Sequence, residues 1–345
     1  MSSVMKAFSI PMPIRGRVIY RAATILSIVT GVLLGCRSQR LSDNHGGVKA
    51  RSLTARKFER NPRRLRRGSY LVNGVAACFS CHGPLDFSQP GWPPVPGKEG
   101  SGYDWGLFGQ VAPNITPDAE TGAGTWTDDM LARSIREGVA HDGRFLNPAV
   151  MPYEFYRGMS DEDLASVIVY LRSIPPVRNH LLPPKMPDNL VTPYAVPITS
   201  PIPQADNSTR EKRGAYLVQI AGCQWCHTLR DANRRSLPGL EFAGGDLTIS
   251  PYSEASSANI TPDPSGISYY DEAQFLRTIR TGKVGARQIS ANMPWWYFAN
   301  MNDEDLKSVF AFLRTVKPVH HRVDNTEPVA DCRICGRKHA GGGLN

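Results

Sequence analysis

A chain of 345 residues, 41% hydrophobic and 21% charged, is long enough for two separate cores and has neither a disordered nor a fibrous composition. Its 28 prolines and 31 glycines predict long ordered loops. The formal charge of +9 falls to +5 beyond residue 35, because Lys6, Arg15, Arg17 and Arg21 lie in a basic leader without acidic residues.

The leader runs into "AATILSIVTGVLLG", Ala22 to Gly35, an apolar stretch too short for an ordinary spanning helix of roughly 20 residues. A positive segment followed by a short apolar core reads as an export signal over 1–35. The run closes "LLGC", which resembles the lipobox of bacterial lipoproteins and implies that Cys36 becomes the lipidated first residue. The alternative is an uncleaved helical anchor beginning near Val18. Either way the rest of the chain is expected outside the cytoplasm, on the periplasmic side, membrane-tethered through a lipid or an N-terminal anchor. Such placement argues against nucleic acid as a partner. Residues 36–63 form a basic tether; from Lys49 to Arg67 nine Lys/Arg face the single Glu59. That tract reads as a solvated connection or as a patch for anionic head groups or an acidic partner.

Beyond the tether one unit is written twice. "RGSYLVNGVAACFSCHG" (Arg67 to Gly83) answers to "RGAYLVQIAGCQWCHT" (Arg213 to Thr228). "NITPD" recurs at Asn114 and Asn259. "AVMPYEFY" (Ala149 to Tyr156) answers to "ANMPWWYF" (Ala291 to Phe298), and "MSDEDLASVIVYLRSIPPV" (Met159 to Val177) to "MNDEDLKSVFAFLRTVKPV" (Met301 to Val319). Ser160 with Asp163, and Asn302 with Asp305, are helix N-cap arrangements. Leu164, Val167, Ile168 and Leu171, like Leu306, Val309, Phe310 and Leu313, form one apolar helical stripe each, and Pro175 and Pro318 are expected to stop those helices. Middle helices are expected over Thr127 to Glu137 and Asp271 to Thr281. The stretches between each C-x-x-C-H and NITPD read as loop. The expected organisation is a first domain over 64–177, a Pro-rich linker over 178–210, a second domain over 211–320, and a C-terminal tail over 321–345.

Each unit carries C-x-x-C-H: Cys78, Cys81 and His82, then Cys223, Cys226 and His227. A disulfide has no use for the adjacent histidine, a zinc site would want its second ligand pair nearby, and a redox dithiol belongs near a βαβ pattern that is absent. The pattern fits covalent attachment of haem c, two thioethers to the porphyrin and the imidazole beneath the iron. Two such groups, with iron, are therefore expected. Met151 follows His82 by 69 residues and Met293 follows His227 by 66, each before proline and aromatics. A methionine beside aromatics is often only core packing, but recurrence at matched distance favours iron ligation, giving His82, Met151, His227 and Met293 as the metal ligands.

The order of these blocks resembles class I cytochrome c domains, and the pair resembles the multihaem cytochrome subunits of periplasmic alcohol and aldehyde dehydrogenases, over roughly Arg67 to Val319. The alcohol-dehydrogenase cytochromes carry three haems, whereas this chain has two attachment sites. The resemblance implies a mainly α fold: two tandem class I cytochrome c-like helical domains, each wrapping a haem with His and Met axial ligands. It also implies that Trp126 donates its N–H to a haem propionate, with Tyr270 at the aligned place in the second copy. Asn114 and Asn259 could fix a loop over the haem edge or simply form turns.

The function expected is electron transfer from a periplasmic dehydrogenase to a respiratory acceptor, a cytochrome or an oxidase. No catalytic constellation is visible, so a cytochrome subunit is favoured over a stand-alone enzyme. The alternative is a dihaem peroxidase-type enzyme with one open or His/His haem, against which the two Met-Pro elements argue; a merely haem-holding structural lipoprotein is a third reading. His141, His180, His320 and His321 read as surface residues, although His141 could compete for the first iron. Cys332 and Cys335, with His339 close by, lack the histidine of C-x-x-C-H because Gly336 stands there. They read as a local disulfide, with a metal site or an intermolecular bond as alternatives, in a loose Gly-rich tail.

Overall fold

The computed structural model describes residues 50–106, 110–183, 197–231, 235–250 and 253–345. The export leader, Cys36, the start of the basic tract and residues 184–196 of the Pro-rich stretch lie outside the described residues.

The first repeat opens with α1 (Pro62–Tyr70), capped by Asn61, whose side chain accepts from the Arg64 amide at 2.9 Å. It closes with α4 (Asp161–Leu171), capped by Ser160 accepting from the Asp163 amide at 3.2 Å. Between them stand α2 (Asp128–Glu137), capped by Thr127, and the single turn α3 (Tyr153–Tyr156). The second repeat repeats the series: α5 (Arg210–Ile220), α6 (Cys223–His227), α7 (Glu272–Thr281), the turn α8 (Trp295–Phe298) and α9 (Asp303–Leu313). Asp271 and Asn302 cap α7 and α9. The predicted terminal and middle helices are all present. Pro175 and Pro318 lie beyond, not at, the ends of α4 and α9.

In each repeat the first and last helices cross at a glycine. A Cβ on Gly68 would overlap the Ser166 carbonyl, and one on Gly214 would overlap the Ser308 carbonyl. Both serines turn their hydroxyls back onto their own helix, Ser166 to Glu162 O at 2.8 Å and Ser308 to Glu304 O at 2.7 Å, which keeps the crossing flat. The stripe of Leu164, Val167, Ile168 and Leu171 is buried, as is its counterpart of Leu306, Val309, Phe310 and Leu313. Each such side chain contributes about 1.5–3 kcal/mol by leaving water.

Strand content is minor and antiparallel: β1 (Tyr103–Asp104) with β2 (Val111–Ala112), β3 (Leu247–Ser250) with β4 (Ser253–Ser256), β5 (Lys283–Val284) with β6 (Arg287–Gln288), and β7 (Val329–Asp331) with β8 (Lys338–Ala340). The β3–β4 hairpin corrects the loop reading of that stretch. Strands so short carry too few alternating residues to show a period. The tail is likewise not loose: β7–β8 packs beside β3 and β4, and the Ala340 amide donates to the Ser256 hydroxyl at 2.9 Å.

Part of the basic tract is pinned to the first repeat. The Arg51 guanidinium pairs with both carboxylate oxygens of Asp129 at 2.7 and 2.8 Å and with Glu137 at 2.7 Å. All described residues fall within one compact unit. Among them no helix is long and apolar enough to cross a membrane.

The repeats meet through reciprocal bonds. Asp163, paired bidentately with Arg67 at 2.7 Å within the first repeat, accepts from the Tyr216 hydroxyl of the second at 2.7 Å. Asp305, paired with Arg213 within the second, accepts from the Tyr70 hydroxyl of the first at 2.5 Å. Each hydroxyl also accepts an amide of the helix cap it touches, from Ser160 at 3.2 Å and from Asn302 at 3.3 Å. This is an approximate two-fold relation between copies. Burial, and then the facing carboxylate, push both tyrosine pKa values up, so both hydroxyls stay donors. Tyr70→Phe is expected to cost about 1–3 kcal/mol, because Asp305 is fully buried and loses a donor. Urea unfolding reads this, and an unchanged midpoint would show that the bond contributes nothing.

Candidate functional site

Each C-x-x-C-H segment follows a residue in the left-handed region: Ala77 (φ 47°) before Cys78, and Gly222 (φ 67°) before Cys223. Glycine adopts that conformation freely, whereas alanine is strained there, and such strain gathers at functional positions. The segment then coils into a short helical turn, with the His82 amide donating to Cys78 O at 3.0 Å and α6 spanning the second copy. The approach differs between copies by one residue, since Arg67 to Cys78 is one longer than Arg213 to Cys223. A π-helical turn, Leu71–Val75, absorbs the insertion, closing with the Ala76 amide on Leu71 O at 2.8 Å. The cysteines are thereby delivered alike.

The histidines of both C-x-x-C-H segments are held by the same bond. The Nδ1 of His82 lies 2.8 Å from Pro113 O, and that of His227 lies 2.7 Å from Ala258 O. A carbonyl only accepts, so Nδ1 carries the proton and Nε2 presents its lone pair for a metal. Each carbonyl immediately precedes Asn114 or Asn259 of the NITPD blocks. Those asparagines are buried and make the same set of bonds: Oδ1 accepts from the amide and hydroxyl of Thr116 or Thr261, and Nδ2 donates to Val177 O or Val319 O, at 2.7 and 2.8 Å. They are turn formers that tie the carbonyl-bearing loop to the segment after the last helix. Burial lowers both histidine pKa values, which favours the neutral imidazole a metal needs.

Burial also pushes the thiols of Cys78, Cys223 and Cys226 up to about 12, and raises Cys81. Thiols this reluctant to ionise are unlike the low-pKa pair of a redox dithiol. No two of the described cysteines are bridged.

Met151 and Met293 stand in matching turns. The Met151 amide donates to Asn147 O at 3.0 Å and its carbonyl accepts from Tyr153 at 2.8 Å; the Met293 amide donates to Ser290 O at 3.1 Å and its carbonyl accepts from Trp295 at 2.7 Å. Pro152 (φ −80°, ψ 51°) and Pro294 (φ −76°, ψ 52°) then start α3 and α8 alike. Both sulfur-bearing side chains are half-buried. Around the second turn Asn292 Nδ2, Trp295 Nε1 and Tyr297 OH are buried without a hydrogen-bond partner among the described residues. Orphaned donors of this kind fit a crevice whose remaining acceptors belong to a bound group. The donor set, two thiols and one imidazole per repeat with a thioether in a matched turn, fits haem c in both copies.

The aromatics after Met-Pro reach across the repeats, which the sequence did not suggest. Tyr297 of the second repeat and Tyr156 of the first both sit within electrostatic reach of Cys78 and Cys81. Reciprocally, Phe155 packs toward Gly222, just before Cys223, with the Arg230 guanidinium 5.2 Å from its ring centre. Trp126 stacks on His141, their rings 4.2 Å apart, so His141 is not the free surface residue expected. Tyr270 instead meets Tyr269 edge-on at 4.8 Å.

No protein family model matches the chain. Curated proteins do. A diheme cytochrome c-type protein of Cereibacter sphaeroides is 28% identical over 257 residues, 71% of this chain and 83% of its own. Over most of its length the chain is thus similar to a dihaem c-type cytochrome. Cytochrome c subunits of dehydrogenases align as well: that of a quinone-type alcohol dehydrogenase from Komagataeibacter europaeus at 26% over 327 residues, and that of gluconate 2-dehydrogenase from Pantoea cypripedii at 26% over 270. The alignments take in 81% and 73% of this chain but 66% and 59% of those subunits, so the dehydrogenase subunits extend beyond what this chain matches.

Proposed function

We propose that this chain is a two-haem electron carrier that takes electrons from a dehydrogenase and passes them to a respiratory acceptor. The observation that carries the reading is the duplicated C-x-x-C-H turn with each histidine's Nδ1 locked to a carbonyl. When bound, haem c supplies reversible one-electron chemistry at its iron. The chain's residues do the rest. Cys78 with Cys81, and Cys223 with Cys226, would hold each group covalently, while His82 and His227 would offer Nε2 and Met151 and Met293 a thioether to its iron. Partial burial of these side chains limits the water at each site.

The placement of Tyr297 by the first attachment segment and Phe155 by the second puts both sites against the contact between repeats. That supports transfer from one group to the other within the chain. Dehydrogenase cytochrome subunits among the relatives support a dehydrogenase donor. Export, the lipid at Cys36 and the periplasmic side remain part of the proposal on the strength of the leader alone.

The test is the low-temperature EPR spectrum of the oxidised, haem-loaded protein. Two low-spin signals of the His/Met kind are expected. A high-spin signal, or a His/His signal from one haem, would overturn the closed-carrier reading and favour peroxidase chemistry.

A further inference from the structure

The C-terminal hairpin holds a second kind of site, away from both C-x-x-C-H turns. His321, Cys332, Cys335 and His339 bring one ligand atom each to within 4.8 Å of all the others. His321 and His339 are wholly buried, Cys332 is 3% exposed and Cys335 is half-buried. The Cys332 Sγ lies 3.5 Å from His321 Nε2, and the two Nε2 atoms lie 3.0 Å apart. The two cysteines are not bridged, and His321 is not a surface residue; both correct the reading from sequence.

The protonation of the two rings makes this contact informative. His321 Nδ1 faces Ala243 O at 2.9 Å, and His339 Nδ1 faces Ala340 O at 3.0 Å. Carbonyls only accept, so each Nδ1 carries its ring's proton. With each Nδ1 engaged by a carbonyl, the two Nε2 atoms are left facing each other beside the sulfurs in a buried site. A cation there would take both nitrogens, with the two sulfurs completing its shell.

We propose that these four side chains bind one zinc ion. Zinc takes tetrahedral Cys₂His₂ sets, with Zn–N of about 2.0–2.1 Å and Zn–S of about 2.3 Å, which puts neighbouring ligand atoms roughly 3.4–3.8 Å apart. The Cys332 Sγ–His321 Nε2 separation of 3.5 Å falls in that range, the Nε2–Nε2 separation of 3.0 Å is a few tenths shorter, and all four ligand atoms lie within 4.8 Å of one another. Thiolate and imidazole together also select zinc over the oxygen-loving cations. All four positions come from the chain, so the site is structural and has no place for a substrate.

The role of the ion follows from what it joins. His321 bonds the loop at Ala243, and a Cβ on Gly245 would lie 2.6 Å from the His321 ring, so only glycine lets that ring in. The neighbouring Gly244 amide donates to the carbonyl of His227 at 2.9 Å. Zinc would thus clamp the tail onto the loop that hydrogen-bonds the backbone of His227. The hairpin turn is shaped for this, since Gly336 takes φ 68° directly after Cys335, and the Cys332 amide donates to Arg337 O at 2.9 Å.

The experiment uses the full haem-loaded chain. Elemental analysis is expected to find one zinc beside the haem irons, and X-ray absorption at the zinc edge, which haem does not obscure, two sulfur and two nitrogen neighbours. The double variant Cys332→Ser, Cys335→Ser should lose the zinc, keep its haem iron and become open to proteolysis beyond residue 320. His339→Cys should retain zinc with three sulfurs and one nitrogen, which a merely structural histidine would not produce. Zinc in fewer than about one chain in ten after reconstitution under reducing conditions would overturn the proposal. So would a different metal on these ligands.

Discussion

Gly214→Val is expected to break the second repeat apart. The side chain would have to occupy the space of the Ser308 carbonyl and lie 2.8 Å from the Phe312 Cβ. Neither neighbour can yield: one is helix backbone, the other the root of a ring that packs edge-on against Phe242 at 6.1 Å. Separating α5 from α9 would uncover Leu217, Leu306, Val309, Phe310 and Leu313 together. Overpacking costs about 1–3 kcal/mol where a core can adjust and more where it cannot, so a loss of about 3 kcal/mol or more is expected. That is a large part of a domain's roughly 5–15 kcal/mol. Thermal unfolding followed at the second haem's absorbance reads it, with Gly214→Ala as a graded control. Melting unchanged from wild type would show that the crossing is looser than the geometry states. Gly68→Val makes the same demand of α1 and α4.

Met293→Ala is expected to turn one of two low-spin irons high-spin and leave the other as it was. A thioether is a soft ligand that favours the reduced iron, so its loss should lower that haem's potential by on the order of a few tenths of a volt, within the roughly 0.8 V that axial ligands span. On the proposed attachment Cys223 and Cys226 would keep the haem covalently bound, so a change in spin state would not be mistaken for loss of the group. EPR with a spectroscopic redox titration measures both effects. Two unchanged low-spin signals would remove Met293 as the ligand and leave it as packing beside Trp295 and Trp296. Met151→Ala should give the mirror result at the first haem.

Much of the site was open to a reader of the residues. The two C-x-x-C-H turns, the matched Met-Pro elements and the helix caps at Ser160 and Asn302 are local features, set by a few neighbouring side chains and their own backbone. The helical ends of each repeat followed from stripes such as Leu164, Val167, Ile168 and Leu171. The π-turn at Leu71–Val75 could also have been found, since one residue more in the first copy has to be absorbed somewhere before Cys78.

What lay out of reach depends on distance along the chain. Nothing in the order of residues says that Tyr70 will meet Asp305 or that Tyr216 will meet Asp163, because those bonds exist only once two repeats have paired. Tyr297 beside the other copy's cysteines belongs to the same class. His321 sits next to the exposed His320 and has no pattern of its own, and only the folding of the hairpin back onto the Ala243 loop brings it to Cys332 and His339. Repetition, caps and attachment turns were therefore determined by sequence, since local backbone and side-chain chemistry dictates them. The pairing of repeats and the buried Cys₂His₂ cluster were decided by tertiary structure, since burial and long-range closure alone bring those groups together.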